Sequence, residues 1–172
     1  MPPAAGSAAA SAAPMLIRDA RPGDVDAIHG LIGELADYEH LRQQFTGTPA
    51  DLARHLFGAP RFAQALVAEA AGGAITGFAL YFFNYSTFLC RPGLYLEDLY
   101  VQPASRRQRT GQRLLAELAR RAVAAGCGRM EWAVLDWNAP SIAFYRQLGA
   151  EPMDEWTTFR LTGEALTRLA GA

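Results

Sequence analysis

The sequence predicts one α/β (α+β) domain folded around a mixed sheet. The chain has 172 residues, 51% of them apolar and 19% charged, which is enough to bury a core without disulfide staples. Short apolar or alternating runs interleave with segments of helical period, in the order βααβββαβαβ. No internal repeat or interdomain linker interrupts that order, so residues 15–172 are expected to form the domain.

Residues 1–14 carry no charged side chain and no hydrophobic period, and read as a disordered Ala-rich tail. A signal peptide is the alternative, but the basic n-region is missing. Met15–Asp19 alternates as a short strand. Arg21-Pro22-Gly23-Asp24 is a turn, with Asp24 a candidate cap. Val25–Glu39 places Ile28, Leu31, Ile32 and Leu35 at helical spacing. Thr48, Pro49 and Asp51 form an N-terminal signature for a helix over Thr48–Leu56. Ala65–Glu69 and Ala74–Asn84 form a hairpin across Ala71-Gly72-Gly73. Leu94–Val101 is a further strand. Gly111–Ala125 is strongly amphipathic and ends at Gly126. Met130–Leu135 reads as a strand, Pro140–Leu148 as a helix closed by Gly149, and Glu155–Leu161 as a last strand.

A net charge of −1 does not favour non-specific binding to nucleic acid or anionic membrane, so neither is an expected partner. No apolar run approaches 18 residues. Cys90 and Cys127 are too few for a disulfide framework or a zinc cage and read as reduced thiols of a cytoplasmic protein. His29, His40 and His55 lack ligand spacing, so no metal site is expected.

Two stretches carry chemistry. Leu96-Glu97-Asp98-Leu99-Tyr100-Val101 leads into Arg106-Arg107-Gln108-Arg109-Thr110-Gly111-Gln112-Arg113 and then a long helix. A strand, an Arg-rich turn and a helix N-terminus suit a phosphate, because free N–H groups and the positive helix end face it. A solvated basic turn and a small nucleic-acid patch are the alternatives. The second stretch is Asp136-Trp137-Asn138-Ala139-Pro140-Ser141, followed by a helix with Phe144, Tyr145 and then Leu148-Gly149-Ala150.

With these motifs the chain resembles the GNAT superfamily of acyl-CoA N-acyltransferases. It is most like the diamine (spermidine/spermine) and thialysine N-acetyltransferases. Leu35–Glu39, Gly77–Phe83, Leu94–Val101 and Asp136–Ser141 carry the resemblance, which spans about Leu16–Leu169. It implies a GNAT fold, a central mixed and mostly antiparallel sheet flanked by helices. It also implies acetyl transfer from acetyl-CoA to a primary amine of a small polyamine or lysine-like acceptor, by direct attack through a tetrahedral intermediate.

The resemblance assigns roles. Glu97 is the expected base, since an alkylammonium must lose a proton before it attacks. A backbone N–H near Leu99 faces the oxyanion, and Tyr145 protonates the departing thiolate. Leu99 and Val101 contact the cofactor through their backbone. Arg106, Arg107, Gln108, Arg109, Thr110 and Gly111 wrap the pyrophosphate, and Gln112 lies on the helix start. Asn138 and Ser141 flank the pantetheine. Tyr38, Glu39, Glu97, Glu131, Trp132 and Glu155 match acceptor-side positions. A homodimer is implied, with Gly149–Leu161 the segment to exchange.

Arg109 stands where the family's phosphate loop carries Gly, and Arg107 where close relatives do. That leaves open a degenerate module that binds acyl-CoA without turnover. An acetyltransferase of a protein amine or an aminoglycoside is a further alternative.

Overall fold

The computed structural model describes residues 15–106 and 108–171. The predicted tail and Arg107 lie outside the described residues. The described chain forms two compact units, divided between Ala133 and Val134.

The first unit contains β1 (Leu16–Asp19), α1 (Val25–Tyr38), α2 (Pro49–Phe57), β2 (Gln64–Glu69), β3 (Ile75–Ser86), β4 (Arg91–Val101), α3 (Thr110–Ala124) and β5 (Met130–Trp132). Its sheet runs β1-β2-β3-β4-β5. The first three pairings are antiparallel and β4–β5 is parallel, so the sheet is mixed and mostly antiparallel as expected.

Each face buries one layer. Ile28, Leu31 and Leu35 of α1 and Leu56 of α2 pack with Ala65, Val67, Phe78 and Tyr100. On the other face lies α3, whose Leu114, Leu115 and Leu118 are buried. Arg121 fixes α3 to the sheet: it donates to Tyr81 Oη at 3.0 Å and to the Asp19 carboxylate at 2.6 and 3.1 Å.

Local chemistry sets the ends of the helices. Thr48 Oγ1 accepts from Asp51 N at 3.2 Å while the Asp51 carboxylate accepts from Thr48 N at 3.3 Å, and Pro49 opens α2. Gly126 has φ 70° just past α3, a left-handed stop that glycine adopts without a Cβ clash. Asp24 departs from its predicted role as a cap. Its carboxylate accepts from Arg18 at 2.7 and 3.0 Å and from Arg21 N at 2.7 Å, and makes no side-chain cap on α1. An ionised guanidinium is the stronger partner. Arg18 also binds Glu69, which joins β1, β2 and the turn before α1.

The second unit contains α4 (Ala139–Gln147) and α5 (Gly163–Ala170). Two predictions are corrected here. The strand expected over Met130–Leu135 stops at Trp132. The strand expected over Glu155–Leu161 does not form; the segment is irregular, with Trp156, Phe159 and Leu161 exposed. A strand needs a ladder partner for its backbone groups, and none pairs with this segment among the described residues. The sequence reading also missed α5.

Phe78 is 0% exposed in the α1 layer, whereas Phe88 on the β3–β4 connection is 91% exposed. Phe78→Ala is expected to cost about 3–5 kcal/mol in urea denaturation, and Phe88→Ala less than about 0.5 kcal/mol.

Candidate functional site

The β3–β4 ladder contains one irregularity. Leu80 pairs with Asp98 and Tyr81 pairs with Leu96, so Glu97 is an extra residue on β4. Such a bulge inverts the alternation of side chains beyond it. Leu96 lies opposite Tyr81, whose hydroxyl meets α3, whereas Tyr100 lies opposite Phe78 in the α1 layer. Glu97 and Asp98, though adjacent, therefore share the α1–α2 face.

A cleft of about 500 Å³ opens there. Leu52, His55 and Leu56 of α2 form one wall, and Leu80 and Phe82 of β3 the other. Phe62, Ala63 and Glu97 complete the lining. Asp98 has its carboxyl pushed up to about 6, first by burial and then by the charges of Glu97 and Glu39. Burial also raises Glu39, at the end of α1. The Tyr95 phenol is raised by burial and then by Glu97, Glu131 and Asp98. Of the expected acceptor-side residues, Glu39 and Glu97 thus contribute to one negative region, and Asp98 joins them.

Glu131 is engaged elsewhere: it pairs with Arg129 at 2.8 Å and accepts from Asn84 at 3.3 Å. Trp132 pairs with Leu96 and ends β5. Beyond it, Glu97–Val101 of β4 has no strand on that side among the described residues, so this edge offers backbone groups to a ligand. Leu99 and Val101 lie on it.

The phosphate-type turn follows. Arg109 has φ 58° and ψ 22°, a left-handed conformation, immediately before α3. Thr110, Gly111 and Gln112 occupy the first helical turn, whose N–H groups lack intrahelical acceptors. A left-handed residue entering a helix aims successive N–H groups one way, which suits an anion. Two side chains do other work. Arg106 Nε donates to Val101 O at 2.9 Å, and its guanidinium lies 5.5 and 5.6 Å from the ring centroids of Tyr38 and Tyr100. The Thr110 hydroxyl is buried and donates to Ser105 O at 3.1 Å. Gln108 and Gln112 are exposed.

The remaining candidates belong to the second unit. Asn138 is buried and caps α4, its Oδ1 accepting from Ser141 N at 3.3 Å. Tyr145 is half-buried on α4, its ring centroid 5.4 Å from that of Phe144. Glu155 is exposed on the irregular segment.

The chain matches the acetyltransferase (GNAT) family over residues 35–150. It belongs to that family. It is 40% identical over 167 residues to a thialysine N-epsilon-acetyltransferase of Bos taurus, covering 91% of this chain and 98% of the relative. It is 34% identical over 194 residues to an L-ornithine N5-acetyltransferase of Arabidopsis thaliana, covering 87% and 85%. An integron cassette protein from the mobile metagenome of V. cholerae has the same fold, with a TM-score of 0.77 at 24% identity, over 92% of this chain and 98% of that one.

This protein is thus a GNAT acetyltransferase, an enzyme of the family that uses acetyl-CoA as cosubstrate. The sequence reading missed the apolar walls of the acetyltransferase's cleft. Leu80 and Phe82 lie within the strand expected over Ala74–Asn84, and nothing in an alternating run signals an extra residue.

Two outcomes follow for the acetyltransferase. Glycine reaches the left-handed region without the penalty that arginine pays, so Arg109→Gly is expected to raise stability by about 0.5–1 kcal/mol in thermal unfolding. A carboxyl raised in the folded state costs nothing below its unfolded pKa of about 4, and its cost grows as pH rises through about 6. Asp98→Asn is therefore expected to be more stable than the parent at neutral pH. Urea titrations should show the difference vanishing below about pH 4.

Proposed function

We propose that residues 15–172 work as one cytoplasmic N-acetyltransferase domain acting on a small primary amine, with Glu97 as the base. The position of Glu97 carries this reading: an exposed carboxylate on the bulge of β4, at the cleft and beside an open strand edge. The acceptor is lysine-like, a reading supported by relatives named for thialysine and L-ornithine. A polyamine is the second reading, supported by 35% identity to a spermidine/spermine N(1)-acetyltransferase-like protein of Homo sapiens, matched over only 23% of that relative.

The chemistry assigned to these residues is direct transfer. The acceptor arrives as an ammonium drawn by Glu39, Glu97 and Asp98. Glu97 takes its proton, directly or through a water, and frees the lone pair that attacks the thioester carbonyl. A backbone N–H near Leu99 stabilises the oxyanion. The C–S bond breaks, Tyr145 gives its proton to the thiolate, and the second proton that the nitrogen sheds on becoming an amide restores the Tyr145 phenol through solvent.

Acetyl-CoA is held by the backbone of Leu99 and Val101 and by residues Arg106–Gln112, with Asn138 and Ser141 beside the pantetheine. The loop works mainly through main-chain N–H groups, because the Arg106 and Thr110 side chains are already engaged. A homodimer is part of the proposal. Met153, Trp156, Phe159 and Leu161, all exposed, give the C-terminal segment an apolar surface suited to a second copy.

Calorimetric titration with acetyl-CoA, followed by a panel of amines, tests this reading. Micromolar-range binding and amine-dependent CoA release are expected. Glu97→Gln should lower kcat/KM roughly 10²- to 10⁴-fold. Tyr145→Phe should lower kcat while acetyl-CoA still binds. Unchanged turnover in Glu97→Gln would reject it as the base. No binding and no CoA release would leave a degenerate member of the fold.

A further inference from the structure

A second polar group lies one strand away from Glu97, on the same face of the sheet. Tyr95 of β4 stands opposite Phe82 of β3 and Glu131 of β5. The Tyr95 and Phe82 rings pack with centroids 5.2 Å apart, and Phe82 lines the cleft together with Glu97. The Tyr95 phenol is within electrostatic reach of both Glu97 and Glu131. Asn84, two residues beyond Phe82, donates Nδ2 to Glu131 at 3.3 Å, and Glu131 pairs with Arg129 Nε at 2.8 Å. Gly93 makes room for the group: a Cβ there would collide with Asn84 Oδ1 and lie 3.5 Å from Arg129 Cγ. Asn84 Oδ1 is buried without a partner among the described residues, a cost that packing alone does not explain.

The pair is open to a ligand. The Arg129 and Glu131 side chains are 41% and 34% exposed, and the Arg129 Nη groups have no partner among the described residues. An ion pair this exposed contributes little to stability. Strand spacing and rise put the Glu131 and Glu97 positions roughly 8 Å apart. A lysine-like chain has that reach between its reactive nitrogen and the substituents of its α-carbon.

We propose that Arg129 and Glu131 bind the α-amino-acid head of the acceptor. Arg129 takes its carboxylate, Glu131 takes its α-ammonium, and the chain crosses Tyr95 to bring the reactive nitrogen to Glu97. This rests on the acetyl-transfer reading above and names what selects the acceptor. One cation beside one anion is the complement of a zwitterion. A guanidinium with both Nη groups free suits a carboxylate, because its planar fork gives two charge-assisted bonds. The Tyr95 and Phe82 rings suit the methylene or thioether atoms between the two ends.

A matched pair of acceptors isolates the effect. Thialysine and its carboxamide differ only at the α-carboxylate, and both are assayed with the full chain at saturating acetyl-CoA. The expected kcat/KM is about ten-fold higher for thialysine, with the difference residing in KM. Arg129→Gln should bring that ratio close to one. Arg129→Lys keeps the charge without the fork and should retain part of it. Glu131→Gln should raise KM for both acceptors, since both keep the α-ammonium. A loss of stability alone would lower both acceptors equally and leave the ratio at its parent value.

Equal kcat/KM for the two acceptors in the parent enzyme overturns the proposal and leaves acetyl transfer standing. So does an unchanged ratio in Arg129→Gln, and so does acetylation of other amines without acetylation of thialysine. If no amine is acetylated, the acetyl-transfer reading itself fails, and this inference falls with it.

Discussion

One extra residue in β4 is the constraint on which the site depends. A strand alternates its side chains, so Leu94, Leu96, Asp98 and Tyr100 would share a face in an uninterrupted ladder. The α3 layer needs Leu94 and Leu96, and the α1 layer needs Tyr100 against Phe78. Both demands are met only if the alternation inverts between them, and the register shift opposite Leu80 and Tyr81 inverts it. The carboxylates of Glu97 and Asp98 reach one face as a consequence. Packing on the two sides of the sheet thus produces the chemical asymmetry of the site.

That arrangement concentrates negative charge, and burial divides the labour. Asp98 is the more buried, and the charges of Glu97 and Glu39 add to its cost, so its carboxyl rises to about 6. Glu97 is exposed and keeps solvent within reach. Of two neighbouring acids, the solvated one is the better placed to exchange protons with bulk water. The buried one adds a fixed carboxyl beside it on the same face.

Much of this was legible in the sequence, for identifiable reasons. The helical spacing of Ile28, Leu31 and Leu35, the Thr48-Pro49-Asp51 start and the Gly126 stop are local signals, and local chemistry realises them. The strand expected over Glu155–Leu161 failed because apolar residues alone do not make a strand; a ladder partner does. α5 went unread, since Leu166 and Leu169 are too few to establish a period against that competing strand reading. Glu39 and Glu97 were singled out through motif; the apolar residues that line the cleft with Glu97 were not. Cleft residues such as Leu52, Ala63 and Phe82 come together from α2, a connection and β3, and their relation exists only after the sheet has formed.

In the Arg-rich turn, side chains and main chain have separate partners. Arg106 reads as a phosphate ligand, yet its guanidinium lies over Tyr38 and Tyr100 and its Nε holds Val101 O. It pins the end of β4 to the last turn of α1. Arg109 stands where the family resemblance implies glycine, and it adopts a left-handed conformation. The helix start is preserved despite the substitution, and so are the N–H groups that an anion would meet. Arginine is held in this conformation because the surrounding fold supplies the strain energy, and the main-chain cradle keeps its form.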